Sequence, residues 1–417
     1  MSTPSFCHSV LGEITPEMCS RLAELSQDPS SKSKPDSLTS ATRAVLFDIA
    51  SLQVKAIRTF GPPPHAGTAW WVTRHSLQQS THHAVAALKA SWMGSGRVAD
   101  LCCGLGSDLI ALARRGPAVG MDLHADVLAF ASTNLQAADV EASLSQTDVT
   151  SAEPTSMIDS EDWIHVDPDR RADGKRHTAL DGLVPDWGRV TELLQSCRGG
   201  LVKLAPATQV PEDDAGEFHR TWIAAGGSVR EQTLIAGAVL DDAWIRQQNM
   251  SAGGRSAISI RNGIASVFAT DRDAISRTSE HGGAHSNQGV GGTGIGQWMV
   301  DPDAAIRAAG LTEAFAGATG TQAVGGPSGF LSCEDPAGLT PWSEMATAAR
   351  VIDVVGCDDR KLRRWFRAHD GYPEVIKVRG GDVDPAALNR RLKTCGQTPM
   401  GLWIGRQGKR TYAVVTE

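Results

Sequence analysis

No stretch of this chain stays apolar for the roughly 18 residues that a membrane-spanning helix needs. Its N-terminus, broken by Glu13, Glu17 and other polar residues, lacks a signal-peptide pattern, so the cytoplasm is the expected location. Cysteine occurs eight times, at positions 7, 19, 102, 103, 197, 333, 357 and 395, with no Cys-x-x-Cys pair and no His/Cys cluster at zinc spacing. Reduced thiols are expected, and a structural metal is not.

What is present is a chain of 417 residues, 41 % hydrophobic, long enough for two or three globular domains. A formal charge of −7 argues against nucleic-acid binding over the whole surface. The average conceals an asymmetry. Pro341 to Glu417 carries 14 Lys/Arg against 9 Asp/Glu, a net +5, and the 26 and 38 upstream leave −12. The tail reads as a basic module on an acidic body, or as a solvated face that happens to be basic.

Val98 to Asp122, VADLCCGLGSDLIALARRGPAVGMD, organises the chain. The apolar run Arg97 to Leu101 ends in Cys102-Cys103-Gly104-Leu105-Gly106. A helical pattern from Asp108 to Arg115 follows and stops at Gly116-Pro117, and a second run, Ala118 to Met121, ends in Asp122. This is strand, glycine turn, helix, strand. Glycines let the backbone approach a ligand, and a carboxylate after the second strand can accept ribose hydroxyls. A dinucleotide site wants a third glycine where Leu109 stands. The Asp100-x-x-x-Gly104-x-Gly106 form suits S-adenosylmethionine better, because that ligand has an ammonium to pair and no pyrophosphate to cradle. A nicotinamide or flavin nucleotide and a ligand-free turn are the alternatives.

Ahead of this stretch, Pro16 to Leu25 is weakly helical, Gln27 to Ser40 reads as a Ser/Lys/Pro-rich mobile linker, and Thr39 to Phe60 has helical spacing up to Gly61-Pro62. Residues 1–75 are therefore expected to form a helical domain. In Trp70 to Ser91, Ser80 or Thr81 is expected to cap a helix through Ala84, Val85 and Leu88. Gln79 and Thr81 lie in a polar stretch positioned to touch the methionine end of such a cofactor, and a plain cap explains them equally. His82 and His83 are expected to face opposite ways as ordinary surface or packing residues.

After Asp122 the spacing predicts a helix His124 to Ala137 with Asn134 in a polar position, and strands Ser143 to Thr147, Trp163 to Val166 and Gly200 to Leu204. It adds a helix Trp187 to Ser196, a helix Glu212 to Ala225 and a strand Ser228 to Ala236. Repeated strand-helix units over residues 76–240 imply an α/β fold with a doubly wound, Rossmann-like sheet and its site at the carboxyl ends of the strands. Asp148 is either an acid near an adenine amine or a turn aspartate. Asp167-Pro168-Asp169-Arg170-Arg171 directly follows the strand WIHV, so this charged loop should face the same crevice as Gly104 and Asp122. An ion-paired loop is the alternative.

Farther on, the apolar runs around Arg261-Asn262-Gly263 signal a hairpin. Thr270 to Gln297 is Gly/Ser/His-rich, a flexible insertion in a small α+β connecting region over residues 241–340. Trp298 to Phe315 is expected to be helical, capped by Asp301 or Asp303 with Pro302 near the first position, and Phe330 to Cys333 to be a short strand. Residues 341–417 alternate RVIDVV, a helix Asp359 to His369, VIKV, a helix Pro385 to Lys393, LWIGR and TYAVVT, a compact α+β module. Its Arg360, Lys361, Arg363, Arg364 and Arg367, followed by Lys377, Arg379, Arg390, Arg391 and Lys393, suit RNA phosphates. With Trp365 as the main aromatic among them, charge and shape outweigh base stacking.

LQQST, DLCCGLGSD, VDPDRR, VKLAP and VIKVRGG, in that order, resemble the bacterial class I methyltransferases that carry a THUMP-like C-terminal domain, over roughly residues 40 to 417. The resemblance implies a class I methyltransferase sheet between an N-terminal helical domain and a C-terminal α+β THUMP-like domain, S-adenosyl-L-methionine as cofactor, and RNA, either tRNA or rRNA, as substrate. It places Asp100, Gly104 and Gly106 in the cofactor loop, with Cys102 as a small side chain beside the ligand. Asp122 becomes the ribose acid and Asp148 the adenine-side acid. Asp167, Pro168, Arg170 and Arg171 become the signature loop, and Lys203 the lysine of the family's fifth strand, either acting on substrate phosphate or simply a strand-end lysine with an exposed amine. The loop is also similar to the Asp/Asn-Pro-Pro-aromatic loop with which amino-directed methyltransferases grip an exocyclic amine, but Asp169 and Arg170 replace its second proline and its ring. An arginine would then stack or clamp a phosphate in place of the aromatic. Methyltransferases for C5 of uracil use a cysteine just after the fifth strand, and LVKLAPAT, Leu201 to Thr208, has none, which disfavours covalent pyrimidine chemistry. The expectation is methylation of an RNA base nitrogen. Its rivals are a small-molecule methyltransferase and a cofactor-binding RNA-binding protein without turnover.

Overall fold

The computed structural model describes residues 13–31, 37–169, 180–271, 294–325, 329–380 and 382–417. Arg170 and Arg171, the centre of the expected linker and most of the expected insertion lie outside the described residues. The chain divides into two compact units, Met1–Ala225 with Arg230–Gly253, and Gly226–Val229 with Gly254–Glu417. Among the described residues no helix is long and apolar enough to cross a membrane.

The first unit begins with the helices Pro16–Gln27, Ser40–Ser51 and Gln53–Phe60. Thr15 and Thr39 cap the first two through side-chain oxygens that accept from Met18 N and Thr42 N. Ser37 donates from its amide and hydroxyl to Glu17, tying the end of the expected linker to the first helix.

The sheet of this unit comprises β1 Val98–Leu101, β2 Ala118–Asp122, β3 Ser143–Gln146, β4 Trp163–Val166, β5 Gly199–Leu204, β6 His219–Ala225 and β7 Ser228–Gly237, in the order β3-β2-β1-β4-β5-β7-β6. The first five are parallel and β7 runs antiparallel to β5. One face buries Leu101, Met121, Ile164, Val166, Val202 and Leu204 beneath Val190 and Leu193 of the helix Trp187–Gln195. On Gly120 of β2 an added Cβ would lie 2.5 Å from Leu109 Cδ2, so the missing side chain is what lets the helix Ser107–Arg115 settle on the sheet.

Two expected helices are corrected. Only Glu212–Ala215 of Glu212 to Ala225 is helical, and after a turn His219–Ala225 forms β6. Thr221, Trp222 and Ile223 favour an extended chain, and Gly226 and Gly227 turn it at φ of 61° and 80° into β7. Trp298 to Pro302 is likewise a strand, β10 Trp298–Pro302, and the helical pattern begins only at Ala304, where Asp303 supplies the cap by accepting from Ala305 N.

The second unit contains the hairpin β8 Arg255–Arg261 and β9 Ile264–Thr270, turned as expected by Asn262 and Gly263 at φ of 52° and 78°. Its seven-stranded sheet is ordered β11-β12-β10-β13-β16-β15-β14, with β11 Gln322–Val324, β12 Phe330–Cys333, β13 Ala346–Val355, β14 Gly371–Val378, β15 Thr398–Gln407 and β16 Arg410–Thr416. Ile295, at the end of the expected insertion, is fully buried in this unit's core beside Met299, Phe330 and Trp403. The helices Asp359–Ala368 and Pro385–Leu392 bury Leu362, Phe366, Leu388 and Leu392 against Leu402, Ile404, Ala413 and Val415.

Candidate active site at the carboxyl edge of the first sheet

Strand register assembles the site. Met121, Leu101, Val166 and Val202 lie side by side on β2, β1, β4 and β5. The next residue on each strand path is Asp122, Cys102, Asp167 and Lys203, so these four form one row along the carboxyl edge. Asp167 N donates to Leu101 O at 3.1 Å and Cys103 N to Met121 O at 2.9 Å, which fixes the row across the β1 neighbours.

The glycine loop sits at one end. Gly104 has φ of 56° and nothing within 4 Å of an added Cβ, so its missing side chain leaves open space. Gly106, at φ of 83°, instead abuts Ala131 as it starts the helix Ser107–Arg115. Asp122 accepts from Gly104 N at 3.1 Å and from His124 N at 3.0 Å, so its carboxylate holds the loop to β2. Burial raises the Asp122 carboxyl against the pull of those two hydrogen bonds.

At the other end, Lys203 Nζ lies 2.6 Å from Asp167 Oδ2 and donates to Gln79 O at 2.8 Å. Gln79 Nε2 in turn donates to Asp169 Oδ1 at 3.1 Å. The polar stretch ahead of the sheet is thus joined to the charged loop after β4. Pro168 is buried. Thr81 N donates to Ser107 Oγ at 3.0 Å, while the buried Thr81 hydroxyl finds no partner among the described residues.

Thr81 is therefore not the cap of the next helix, nor is Ser80, whose hydroxyl donates back to Ser76 O. The helix is His83–Ser91, capped by His82 Nδ1 accepting from Ala84 N. The two imidazoles do not face opposite ways either. They stack with ring centroids 4.6 Å apart.

Behind the row lies a buried ionic network that sequence spacing does not reveal. Lys89 Nζ lies 2.9 Å from Asp108 Oδ1, 2.8 Å from Glu231 Oε1 and 3.0 Å from His165 Nε2. Burial alone would lower the Lys89 ammonium, but the two carboxylates more than offset it and hold it above its ordinary value. Because an ammonium only donates, His165 Nε2 must accept, which puts the ring hydrogen on Nδ1 for Asp100 Oδ1 at 2.7 Å. Asp100 Oδ2 is buried with no hydrogen-bond partner among the described residues, and burial raises its carboxyl. Asn134, expected in a polar position, is fully buried. It accepts from Trp71 N and donates to Trp71 O and Leu105 O, bracing the glycine loop from below.

The row is electrically negative. Burial pushes the Cys102 thiol well up, and Asp122, Asp167, Asp100 and Asp169 add to the shift in that order. Four carboxylates round one thiol suit a cationic ligand and oppose a pyrophosphate. Open space at Gly104 and the unpartnered atoms of Asp100 and Thr81 fit a ligand with a sulfonium and an ammonium. Asp148 is engaged locally, accepting from Thr150 N and from the Thr150 and Ser151 hydroxyls, which keep its carboxyl low.

Comparison with known proteins agrees with this architecture. Residues 346–417 match the family model described as THUMP domain-like. A Mycobacterium tuberculosis protein called an uncharacterized S-adenosylmethionine-dependent methyltransferase, found in two strains, is 29% identical over 357 residues, covering 85% of this chain and 89% of its own. The crystal structure of a Porphyromonas gingivalis protein provisionally assigned as a methyltransferase superposes with a TM-score of 0.72 at 17% identity, over 97% of this chain and 98% of that one. The chain is a homologue of the S-adenosylmethionine-dependent methyltransferases, with their α/β fold and a THUMP-like domain at its C-terminus.

Proposed function

We propose that the protein methylates a base nitrogen of RNA, with Asp167 as the residue that orients the acceptor. The observation that carries this reading is the single row of Asp122, Cys102, Asp167 and Lys203, which brings the acid of the charged loop level with the glycine turn. When bound, S-adenosylmethionine supplies an electrophilic methyl group on sulfur. Gly104 gives it room, Asp122 receives its ribose hydroxyls, and Asp100, Thr81 and Gln79 serve its methionine end.

Asp167 accepts the N–H hydrogens of an exocyclic amine, directing the nitrogen lone pair along the line of transfer. Orientation of this kind accounts for a large share of a bimolecular barrier, since well-placed partners reach effective molarities of about 10⁵ M or more. Lys203 holds the carboxylate in place from β5, and the Pro168 carbonyl supplies a second acceptor. The THUMP-like domain and the basic residues of the tail support RNA as the substrate.

The test is to incubate the protein with methyl-labelled cofactor and separated tRNA and rRNA fractions, then digest to nucleosides. Label in an N-methylated base is expected. Label recovered only in small molecules, or none at all with cofactor bound, would overturn the RNA assignment.

A further inference from the structure

In the second unit three cations converge on one carboxylate. Asp301, on β10, accepts from Arg307 at 3.0 Å and Arg379 at 3.1 Å through Oδ1, and from Lys377 at 3.0 Å through Oδ2. Arg307 also donates to Pro302 O. Lys377 stands 4.6 Å over the Trp403 ring and Arg379 5.6 Å over Phe330, so aromatic faces hold both cations in place. The neighbouring Asp303 is itself engaged by Arg261 at 3.1 Å and by Ser259.

Three positive groups against one negative leave an excess of two charges. Burial lowers the Arg307 guanidinium, Asp301 opposes this, the nearby Arg379 lowers it further, and Asp303 raises it. Arg379 Nε is buried without a hydrogen-bond partner among the described residues. The four side chains are 11 to 30% exposed, so the cluster is neither a sealed core pair nor a freely solvated patch. Like charges held this close, partly out of water, are stabilised by an anion with several acceptor oxygens.

We propose that Arg307, Lys377 and Arg379, arranged by Asp301, form a phosphate-binding subsite that takes a backbone phosphate of RNA. The phosphate chemistry follows from the cluster alone, and only its source rests on the RNA reading above. Asp301 sets the geometry: it fixes the three donors and leaves their surplus charge to the ligand. The acidic row of the first unit and this cluster have opposite signs, as a cationic cofactor and a polyanionic substrate require.

The experiment measures binding of the full chain to an end-labelled single-stranded RNA by fluorescence anisotropy, across salt from about 50 to 200 mM. Arg379→Gln and Lys377→Gln should each weaken binding several-fold and flatten the plot of log affinity against log salt by roughly 0.7, one phosphate contact. Should Arg379→Gln fail to fold, Arg379→Lys, which keeps the charge but not the fork, should retain the slope while losing affinity. A parallel arm adds inorganic phosphate and follows the melting temperature, expected to rise for the wild type and not for Lys377→Gln. Wild-type RNA binding that all variants reproduce, slope included, would remove the subsite and leave the RNA reading intact. Stabilisation by inorganic phosphate without RNA binding would keep the subsite and remove RNA as its source. Neither response would remove both.

Discussion

Lys203 lies on β5 and Asp167 directly after the adjacent β4, and their charged atoms are 2.6 Å apart because register places them level at the end of the sheet. Asp167→Asn keeps the shape of the loop but loses a full negative charge and half the acceptor capacity. We expect turnover to fall by about 100-fold or more while cofactor affinity changes little, since misplacing a reacting group by about 1 Å already has that effect. Single-turnover kinetics beside calorimetry separate the two quantities. Equal losses in both would make Asp167 a cofactor ligand and not the orienting acid. Lys203→Met should act through the same carboxylate, so the double variant should be no worse than the worse single one.

Gly104 and Gly106 share a left-handed backbone but predict different outcomes. A Cβ added at Gly104 meets nothing within 4 Å beyond its chain neighbours, so valine should cost the fold mainly the left-handed strain, about 1–2 kcal/mol, while its side chain fills the space assigned to the cofactor. Affinity for S-adenosylmethionine should drop beyond measurement by calorimetry, with a modest fall in melting temperature. At Gly106 an added Cβ would make ordinary contact with Ala131 at 3.7 Å, so alanine there should cost mainly the same left-handed strain and leave cofactor affinity nearly unchanged. If Gly104→Val bound cofactor normally, the open space would belong to something else.

The buried network predicts a large effect on stability from a residue outside the row, Lys89. Lys89→Met leaves Asp108 and Glu231 buried without their ammonium, and removing one partner of a buried charge group costs about 3–5 kcal/mol. Urea unfolding should show this, and adding Glu231→Leu should recover part of it. An unchanged midpoint for Lys89→Met would mean that water reaches the network.

Why this network escaped the sequence is instructive. Asp100 and His165 are neighbours only because β1 pairs with β4, and Glu231 arrives from β7, so no local spacing links them. The glycine turn, Asp122 and Asp167 were legible because each ends a short apolar strand, where a parallel sheet must place its site. β6 and β10 were misread as helices because each adjoins a true helical turn, Glu212–Ala215 before one and Ala304–Ala308 after the other. For β6, the Gly226-Gly227 pair was the available signal. The cap of the helix at His83 was misplaced because the Thr81 amide already serves Ser107, a tertiary contact that sequence spacing does not show.

Acid should loosen the first unit as its buried imidazoles take up protons. Burial, reinforced by Arg220 and resisted by the Ser251 carbonyl, lowers the His219 imidazole from 6.5 to about 4. Burial, then His83 and Arg230, lower His82 to about 4 as well. Between those limits the unfolded chain binds protons that the folded chain refuses, so stability is complete above pH 6.5 and is lost as pH falls toward 4. His219 is fully buried and contributes up to roughly 3 kcal/mol; His82 is half-exposed, and solvent screening makes its share smaller. The raised Asp100 and Asp122 carboxyls work in the opposite sense at the acid end, so the comparison must be made between variants and not within one titration. His219→Gln can still donate to Ser251 O but cannot titrate. Its unfolding midpoint should fall less between pH 7.5 and 5, about the range set by the ordinary imidazole value, than that of the wild type. Parallel pH profiles for the two proteins would show that His219 takes up its proton without loosening the fold.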